Sequence, residues 1–407
     1  MKKLLGILLA LTMLLCTACG DGATDKDNSN TTNTTATIYT DITGIAADEV
    51  MMTVGEIAIP ADLFFYWVNA VAADAERVYQ QYSMYYPQYA TLLNQDGTLN
   101  WDATYSQTMT VGDVVQLQAM EKLAYLVITE SMAQTNGIEL TEEQRAEIAK
   151  TIDTNVATYG ENLVKEDAAN EALTTEEIEE KYFYNLGIDK ATVERLMAVT
   201  YLNEGIVESM MTEGHTLYVE EEAYNDFAFY ADHILIATTN LSTGLPLSDE
   251  EVEKKTLLAE SILSRLQESD DMETLFAELA DLHSEDTGRT AYPTGYIFTE
   301  GEMVAEFENA VKELEVGELS GLVKSTYGYH IILRRDLLEG LKDSPKEKEE
   351  LTNIYLTTLI NTIIANTTVN TADVLQTVNF GEVYATYMER TGQRESAKDN
   401  SIEISDK

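Results

Sequence analysis

Two short apolar runs, each with a histidine, frame the stretch that decides the fold of the second half of this chain. The first run reads ADHILI at residues 231–236, and the second reads YGYHIIL at residues 327–333. Their β-branched and aromatic residues favour strands. Amphipathic stretches and further strand-like runs lie between them. This order predicts an α+β unit, in which helices cover a small antiparallel sheet.

Helix-start and periodicity signals divide the stretch between the two runs. Ser248, with Glu251 three residues later, forms a capping box that favours the start of a long helix. Apolar spacing predicts the remaining elements, which are helices over residues 272–282 and 303–311 and strands over residues 319–323 and 329–333.

Two more motifs complete the pattern. Residues 283–286 read HSED, and residues 301–307 read GEMVAEF. With the histidine-containing runs, they resemble the parvulin family of peptidyl-prolyl cis/trans isomerases in both order and spacing. The resemblance implies a rotamase that acts on X–Pro bonds. Rotation about such a bond meets a barrier of about 18–20 kcal/mol from amide resonance, and lowering it needs no nucleophile, metal or cofactor.

The resemblance also implies roles for individual residues. It assigns four residues to catalysis: His233, Asp286, Ser325 and His330. The histidines would form a buried pair on neighbouring strands, Asp286 would lie beside the rotating amide, and Ser325 would hydrogen-bond a histidine. Outside the family context, each histidine is read as a structural core residue held by hydrogen bonds. Neither His215 nor His283 matches a functional position of the family pattern, and both are interpreted as structural or surface residues.

The substrate pocket is implied in the same way. Met303 and Phe307, four residues apart on one predicted helix face, would hold the proline ring. Thr294 would take the place of the leucine that usually forms a wall of the pocket. Without the resemblance, Met303 and Phe307 are ordinary core residues.

The turn before the clamp helix departs from the family pattern. Parvulins usually carry a Gly-Gly-Asp-Leu-Gly-like turn, whereas residues 290–295 read TAYPTG. This change favours an alternative function, a holdase chaperone with an inactive or weakly active parvulin domain. The loop at residues 238–247 contains no Arg or Lys. Because phosphate recognition favours such cations, the sequence argues against a phospho-Ser/Thr-Pro preference.

The N-terminus indicates export. Lys2 and Lys3 precede an apolar run over residues 4–15, and small residues precede Cys19, as in a secretory signal. The pattern is similar to a bacterial lipoprotein signal, with Cys19 lipidated, for example by palmitate, on the extracytoplasmic face of the cell membrane. The alternative is a plain secretory signal. Because no cysteine follows Cys19, the mature chain has no internal disulfide.

Upstream of the parvulin-like segment the pattern is helical. Residues 54–59, 137–143 and 186–189 resemble phrases of the chaperone domain in secreted parvulins of the PrsA and SurA type. The predicted layout is a signal peptide over residues 1–18, a disordered tether over 19–48, an all-helical chaperone domain over 49–229, an inserted parvulin-like domain over 230–336, C-terminal helices packing on the N-terminal domain over 337–391, and a disordered tail over 392–407. A homodimer is left open.

Charge and aromatic content bear on the partners. The chain has 71 Asp and Glu against 26 Lys and Arg, a formal net charge of −45. Because phosphate contact needs clustered cations, nucleic-acid binding is excluded as a function. Five tyrosines lie within residues 79–89. They are interpreted either as core packing or as a chaperone groove for unfolded chains.

Together these features predict a membrane-anchored extracytoplasmic foldase that binds newly exported, unfolded polypeptides and isomerises their X–Pro bonds. The first alternative is the holdase. The second is an unrelated ligand-binding lipoprotein, which the signal and tether fit equally well.

Overall fold

The computed structural model describes residues 37–393. The predicted signal peptide, Cys19 and nearly all of the predicted tail lie outside these residues. The helices are α1 Ile38–Thr43, α2 Ala61–Ser83, α3 Pro87–Ala90, α4 Val111–Thr135, α5 Glu142–Glu166, α6 Thr175–Leu186, α7 Lys190–Met211, α8 Asp249–Gln267, α9 Met272–His283, α10 Ala305–Glu313, α11 Leu337–Lys342, α12 Pro345–Asn366 and α13 Phe380–Arg390. The strands are β1 Val50–Val54, β2 Ile57–Pro60, β3 Ala228–Ala237, β4 Tyr296–Thr299, β5 Leu319–Lys324, β6 Gly328–Arg335 and β7 Val369–Thr371.

The chain divides into two compact units. Of the described residues, one unit contains 37–208 and 358–393, and the other contains Ser209–Thr357. The second unit is therefore wider than the inserted segment that the sequence predicts. Its flanking segments pair with each other, since the Tyr224 and Thr352 hydroxyls lie 2.8 Å apart and Lys348 forms an ion pair with Glu221.

The first unit combines helices with a small antiparallel sheet. Strands β2, β1 and β7 form it in that order, so the expectation of an all-helical domain missed this sheet. Strand β7 pairs with β1 from more than 300 positions away, with Thr53 opposite Asn370. Short polar strands such as β7 carry little local signal, and their pairing depends on the partner strand.

The predicted tether needs a correction at its C-terminal end. Residues 38–43 form helix α1, and Ile38 and Tyr39 are buried. The Tyr39 ring stacks on Tyr387 of α13, with ring centroids 5.3 Å apart, and also contacts Phe65 of α2. This apolar contact orders a segment whose composition alone favours a flexible chain.

The second unit is built on a four-stranded antiparallel sheet with the order β4-β3-β6-β5. The α+β class is thus confirmed. The Ser248–Glu251 capping box at the start of α8 is also confirmed. Helices cover both faces of this sheet, and side chains alternate between the two faces along each strand. The central strands β3 and β6 therefore bury side chains on both faces. Ile234, Ile236, Ile331 and Leu333 pack under α8 and α9, whereas Ala231 and Ile332 pack under α10.

Between residues 37 and 393, none of the helices combines the length and the apolar character that crossing a membrane requires.

Candidate active site

The two predicted histidines lie on one face of the central strand pair. In the β3–β6 register, His233 lies opposite Ile332 and Leu235 lies opposite His330. The histidines are therefore diagonal neighbours, and their ring centroids are 5.2 Å apart. The antiparallel pairing places side by side two residues that are far apart in the sequence.

Phe307 of α10 covers both histidines. Its ring centroid lies 5.1 Å from that of His233 and 5.5 Å from that of His330, with edge-on geometry in both cases. Phe307 and Val311, one helical turn apart, are both buried. Met303 packs against the same cluster, but it precedes the helix, whose N-cap is Val304. The expectation that Met303 and Phe307 share one helix face is therefore wrong, because the helix begins two residues later than predicted.

Asp286 is positioned by the two residues before it. The Leu235 N–H donates to the Ser284 hydroxyl at 3.1 Å, and the Glu285 N–H donates to the Leu235 carbonyl at 2.8 Å. The Ala237 N–H donates to the Glu285 carboxylate at 2.9 Å. Residues 284–285 thus hydrogen-bond to the C-terminal end of β3 in the way that a neighbouring strand would. This pairing brings Asp286 Oδ2 to 3.6 Å from His233 Nε2.

Ser325 reaches the second histidine from the hairpin between β5 and β6. Its hydroxyl lies 2.7 Å from His330 Nε2 and accepts the Tyr327 N–H at 3.1 Å. The Ser325 N–H closes the turn by donating to the Gly328 carbonyl. Both Ser325 and His330 are buried, so this hydrogen bond is shielded from water.

Burial keeps the histidines neutral. Burial first, and then the neighbouring His233, lowers the pKa of His330 to about 4, although the Asp286 carboxylate acts in the opposite direction. Burial also lowers the pKa of His233, while the Asp286 carboxylate opposes this shift. Among the described residues, the Nδ1 atom of each ring is buried without a hydrogen-bond partner. Near pH 7 both rings are therefore neutral.

The residues of this site lie within a segment that matches a known family. Residues 233–336 match the model of the PPIC-type PPIase domain. This segment belongs to the PPIC-type PPIase family. The predicted parvulin-type domain is thereby confirmed.

Relatives named as PrsA foldases share part of the chain. The foldase protein PrsA of Halalkalibacterium halodurans is 30% identical over 217 residues, covering 53% of this chain and 55% of that protein. The foldase protein PrsA 4 of Bacillus cereus is 44% identical over 95 residues, or 23% of this chain and 32% of that protein. The chain spans about half or less of the length of the relatives it matches.

A solved PrsA structure was also compared. The crystal structure of PrsA from Bacillus cereus is 20% identical, and the match covers 71% of this chain and 98% of that one with a TM-score of 0.26.

Thr294 does not join the contacts of the PPIase site. Its side chain is exposed, and it borders a cavity of about 240 Å³ whose lining includes Asp232, Phe276 and Arg335. Asp232 and His233 point to opposite faces of β3. The altered turn therefore presents Thr294 to a different surface from the one that carries the histidines.

Tyr296 is a site residue that the sequence reasoning missed. Its hydroxyl donates to Asp286 Oδ2 at 2.5 Å, and its ring stacks on His233 with centroids 5.8 Å apart. It enters the site because β4 pairs with β3, where Tyr296 lies opposite Ala231. A single tyrosine at the start of a short strand carries no local signal of such a role.

Proposed function

We propose that this chain is a foldase that catalyses cis/trans isomerisation of X–Pro bonds in exported, unfolded polypeptides. The observation that carries the proposal is the cluster of His233, His330 and Phe307 on one sheet face, with Asp286 beside the first histidine. The cluster lies inside the segment that matches the PPIC-type PPIase domain.

The proposed chemistry follows from the nature of the barrier. Twisting an X–Pro amide removes its resonance, so a site that binds the twisted amide better than the planar one accelerates exchange. Phe307 and Met303 supply the apolar surface for the proline ring. The neutral histidines, Ser325 and Asp286 supply fixed polar groups beside the amide, and they need no reorganisation during rotation.

The proposed acid–base state suits this chemistry. A charged imidazolium under Phe307 would pay a large cost of desolvation, whereas the low pKa values of His233 and His330 keep the pair neutral. Asp286 retains partial access to solvent, with 19% of its side chain exposed. The partly exposed Asp286 side chain therefore borders a pair of buried, neutral histidines.

The first unit is proposed to bind clients. Tyr82, Met84, Tyr85 and Tyr86 are exposed, with Tyr85 at 73%. The tyrosine rings are rigid and amphipathic, so they can contact apolar segments of many different sequences. Tyr79 is buried, so the tyrosine segment serves both core packing and surface contact.

The proposal includes the layout and location that the sequence predicts. In it, the PPIase domain at residues 230–336 is inserted into the client-binding domain, and a lipid on Cys19 anchors the chain to the extracytoplasmic face of the cell membrane. Each methylene of a buried acyl chain contributes about 0.8 kcal/mol to such anchoring, so two acyl chains on one cysteine give a stable anchor. A homodimer remains compatible with this layout.

The second candidate function is a holdase with a weak isomerase site. The position of Thr294 favours it, because this side chain does not complete the wall of the proline pocket. The exposed tyrosines of the first unit serve either function. Catalysis of proline isomerisation distinguishes the two.

The test is proline-limited refolding of a model protein, with the chain from Gly20 onward added in catalytic amounts. Acceleration that is lost in Asp286→Ala supports the isomerase at this site. The matched control is Asp270→Ala, which makes the same change at an exposed aspartate of the same unit. Suppressed aggregation without acceleration would assign the chain to the holdase class. Acceleration that is unchanged in Asp286→Ala would show that the isomerase site does not depend on Asp286.

A further inference from the structure

The Asp286 carboxylate is held by donors other than histidine. Its Oδ2 atom accepts the Tyr296 hydroxyl at 2.5 Å, and its Oδ1 atom accepts the Gly288 N–H at 3.1 Å. The same Oδ2 atom is 3.6 Å from His233 Nε2, which is longer than a hydrogen bond. The carboxylate is therefore hydrogen-bonded to the Tyr296 hydroxyl, whereas it lies near the His233 ring without a hydrogen bond to it.

A glycine makes room for the phenol. A Cβ atom built on Gly288 would lie 2.1 Å from the Tyr296 hydroxyl oxygen and 3.2 Å from the ring carbon that carries it. The hydroxyl thus occupies space that any side chain at residue 288 would fill. This requirement is independent of the hydrogen bond and points to the same contact.

We propose that Tyr296 is a positioning residue, whose hydroxyl anchors the Asp286 carboxylate and keeps it out of hydrogen-bond reach of His233. The inference rests on the proposed isomerase function and deepens the description of that site. Without the hydroxyl, the carboxylate loses its shortest hydrogen bond. Rotation toward His233 then offers it the imidazolium as a new donor, with a charge-assisted bond as the gain.

The consequence is a change in the charge of His233. Within residues 37–393, the titratable or charged groups that face or act on this ring are Asp286, Arg289, Tyr296 and His330. Burial lowers the pKa of His233, the Asp286 carboxylate raises it, and the Arg289 guanidinium lowers it. Because an opposite charge acts more strongly at shorter distance, a carboxylate released toward His233 favours the imidazolium.

The experiment compares Tyr296→Phe with Tyr292→Phe. Phenylalanine keeps the ring that stacks on His233 and removes only the hydroxyl. The neighbouring Tyr292 ring contacts Tyr296 in a tilted arrangement, with centroids 5.0 Å apart, and is about half exposed, so its variant removes the same group without touching Asp286. In each protein, the His233 ring is titrated by NMR and kcat/KM for a proline peptide is measured from pH 5 to pH 8.

The expected result is a higher His233 pKa in Tyr296→Phe, with the acid limb of kcat/KM moved to higher pH. At pH 6 we expect a loss of about tenfold, which corresponds to about 1.4 kcal/mol, and partial recovery toward pH 8. Tyr292→Phe is expected to match the wild type in both measurements. An unchanged His233 pKa and an unchanged profile shape in Tyr296→Phe overturn the proposal, even if activity falls uniformly.

Gly288→Ala provides the second variant. It retains the phenol but displaces its hydroxyl, so it is expected to raise the His233 pKa as Tyr296→Phe does. Added to Tyr296→Phe, it is expected to change the titration little, because no hydroxyl remains to displace, and full additivity would contradict the proposal. If the wild type shows no isomerase activity, the proposed function fails, while the His233 titration still decides whether Tyr296 holds the carboxylate.

Discussion

Acidification from pH 7 to pH 4 is expected to destabilise the sheet that carries His330 by about 3 kcal/mol. His330 is 4% exposed, its Nε2 atom is hydrogen-bonded to Ser325, and its Nδ1 atom is buried without a partner among the described residues. A proton added to this ring must enter an apolar site. Burial, followed by the effect of His233, accordingly lowers the pKa of His330 to about 4.

The direction of this pH effect depends on whether the folded or the unfolded state binds the proton at the higher pH. The unfolded chain protonates His330 near 6.5, whereas the folded protein does so only near 4. As the pH falls through 6.5, the unfolded state gains a proton and becomes favoured. The stability linked to neutral His330 is therefore fully present above 6.5, declines below it, and is lost once the pH reaches about 4. At about 1.36 kcal/mol per pH unit, this window corresponds to about 3 kcal/mol.

The assay isolates this histidine from the many carboxylates that titrate over the same range. Amide hydrogen exchange of the β3 and β6 segments is measured from pH 7 to pH 4 in the wild type and in His330→Gln, with correction for the intrinsic exchange rate. Glutamine keeps an amide near Ser325 and does not titrate. The stability of the wild type relative to the variant is expected to fall by about 3 kcal/mol across this range.

An internal control is available in the same samples. Trp67 and Trp101 both lie in the first unit, so their fluorescence reports on that unit and is expected to be the same in both proteins. A difference between wild type and variant that stays constant from pH 7 to pH 4 would refute the reasoning.

Three further predictions concern the charge at the site and the packing around β3. Asp286→Asn preserves the shape of the side chain but removes its charge, and kcat/KM for a proline peptide is expected to fall about 100-fold; a loss below twofold would contradict the role of the charge. Gly295→Ala is expected to lower stability by at least about 2 kcal/mol, because Gly295 has φ 107° and an added Cβ would lie 2.4 Å from the Ala231 carbonyl oxygen; an unchanged thermal midpoint would argue against this strain. Arg289→Gln removes the partner of the buried Asp232 carboxylate, 2.8 Å away, and is expected to cost about 3–5 kcal/mol in chemical denaturation. Adding Asp232→Asn should recover much of that loss, and a double variant no more stable than the single one would count against the ion pair.

Much of the candidate site could be predicted from local sequence. The histidines lie in β-type runs, Phe307 lies at helical spacing with Val311, and Asp286 and Ser325 follow motif positions of the parvulin pattern. The structure brings these side chains together, and their catalytic roles stay predictions. Thr294 was misplaced because the direction of a loop depends on what it packs against, which the loop's own residues do not specify.

Local sequence by itself determined the elements whose signals lie within one or two turns of chain. The capping box at Ser248 and the apolar periods of α9 and α10 are of this kind, because capping and amphipathicity act between residues three or four positions apart. They were sufficient to predict the α+β class of the second unit.

Only the tertiary structure decided the features that join distant segments. The pairing of β1 with β7, the order imposed on α1 by Tyr387, and the bond from Tyr296 to Asp286 all depend on surfaces formed elsewhere in the chain. Residues 38–43 and 369–371 bury or pair their groups only when those partners are in place. The free energy of such contacts belongs to the pair of surfaces, so neither segment carries it in its own sequence.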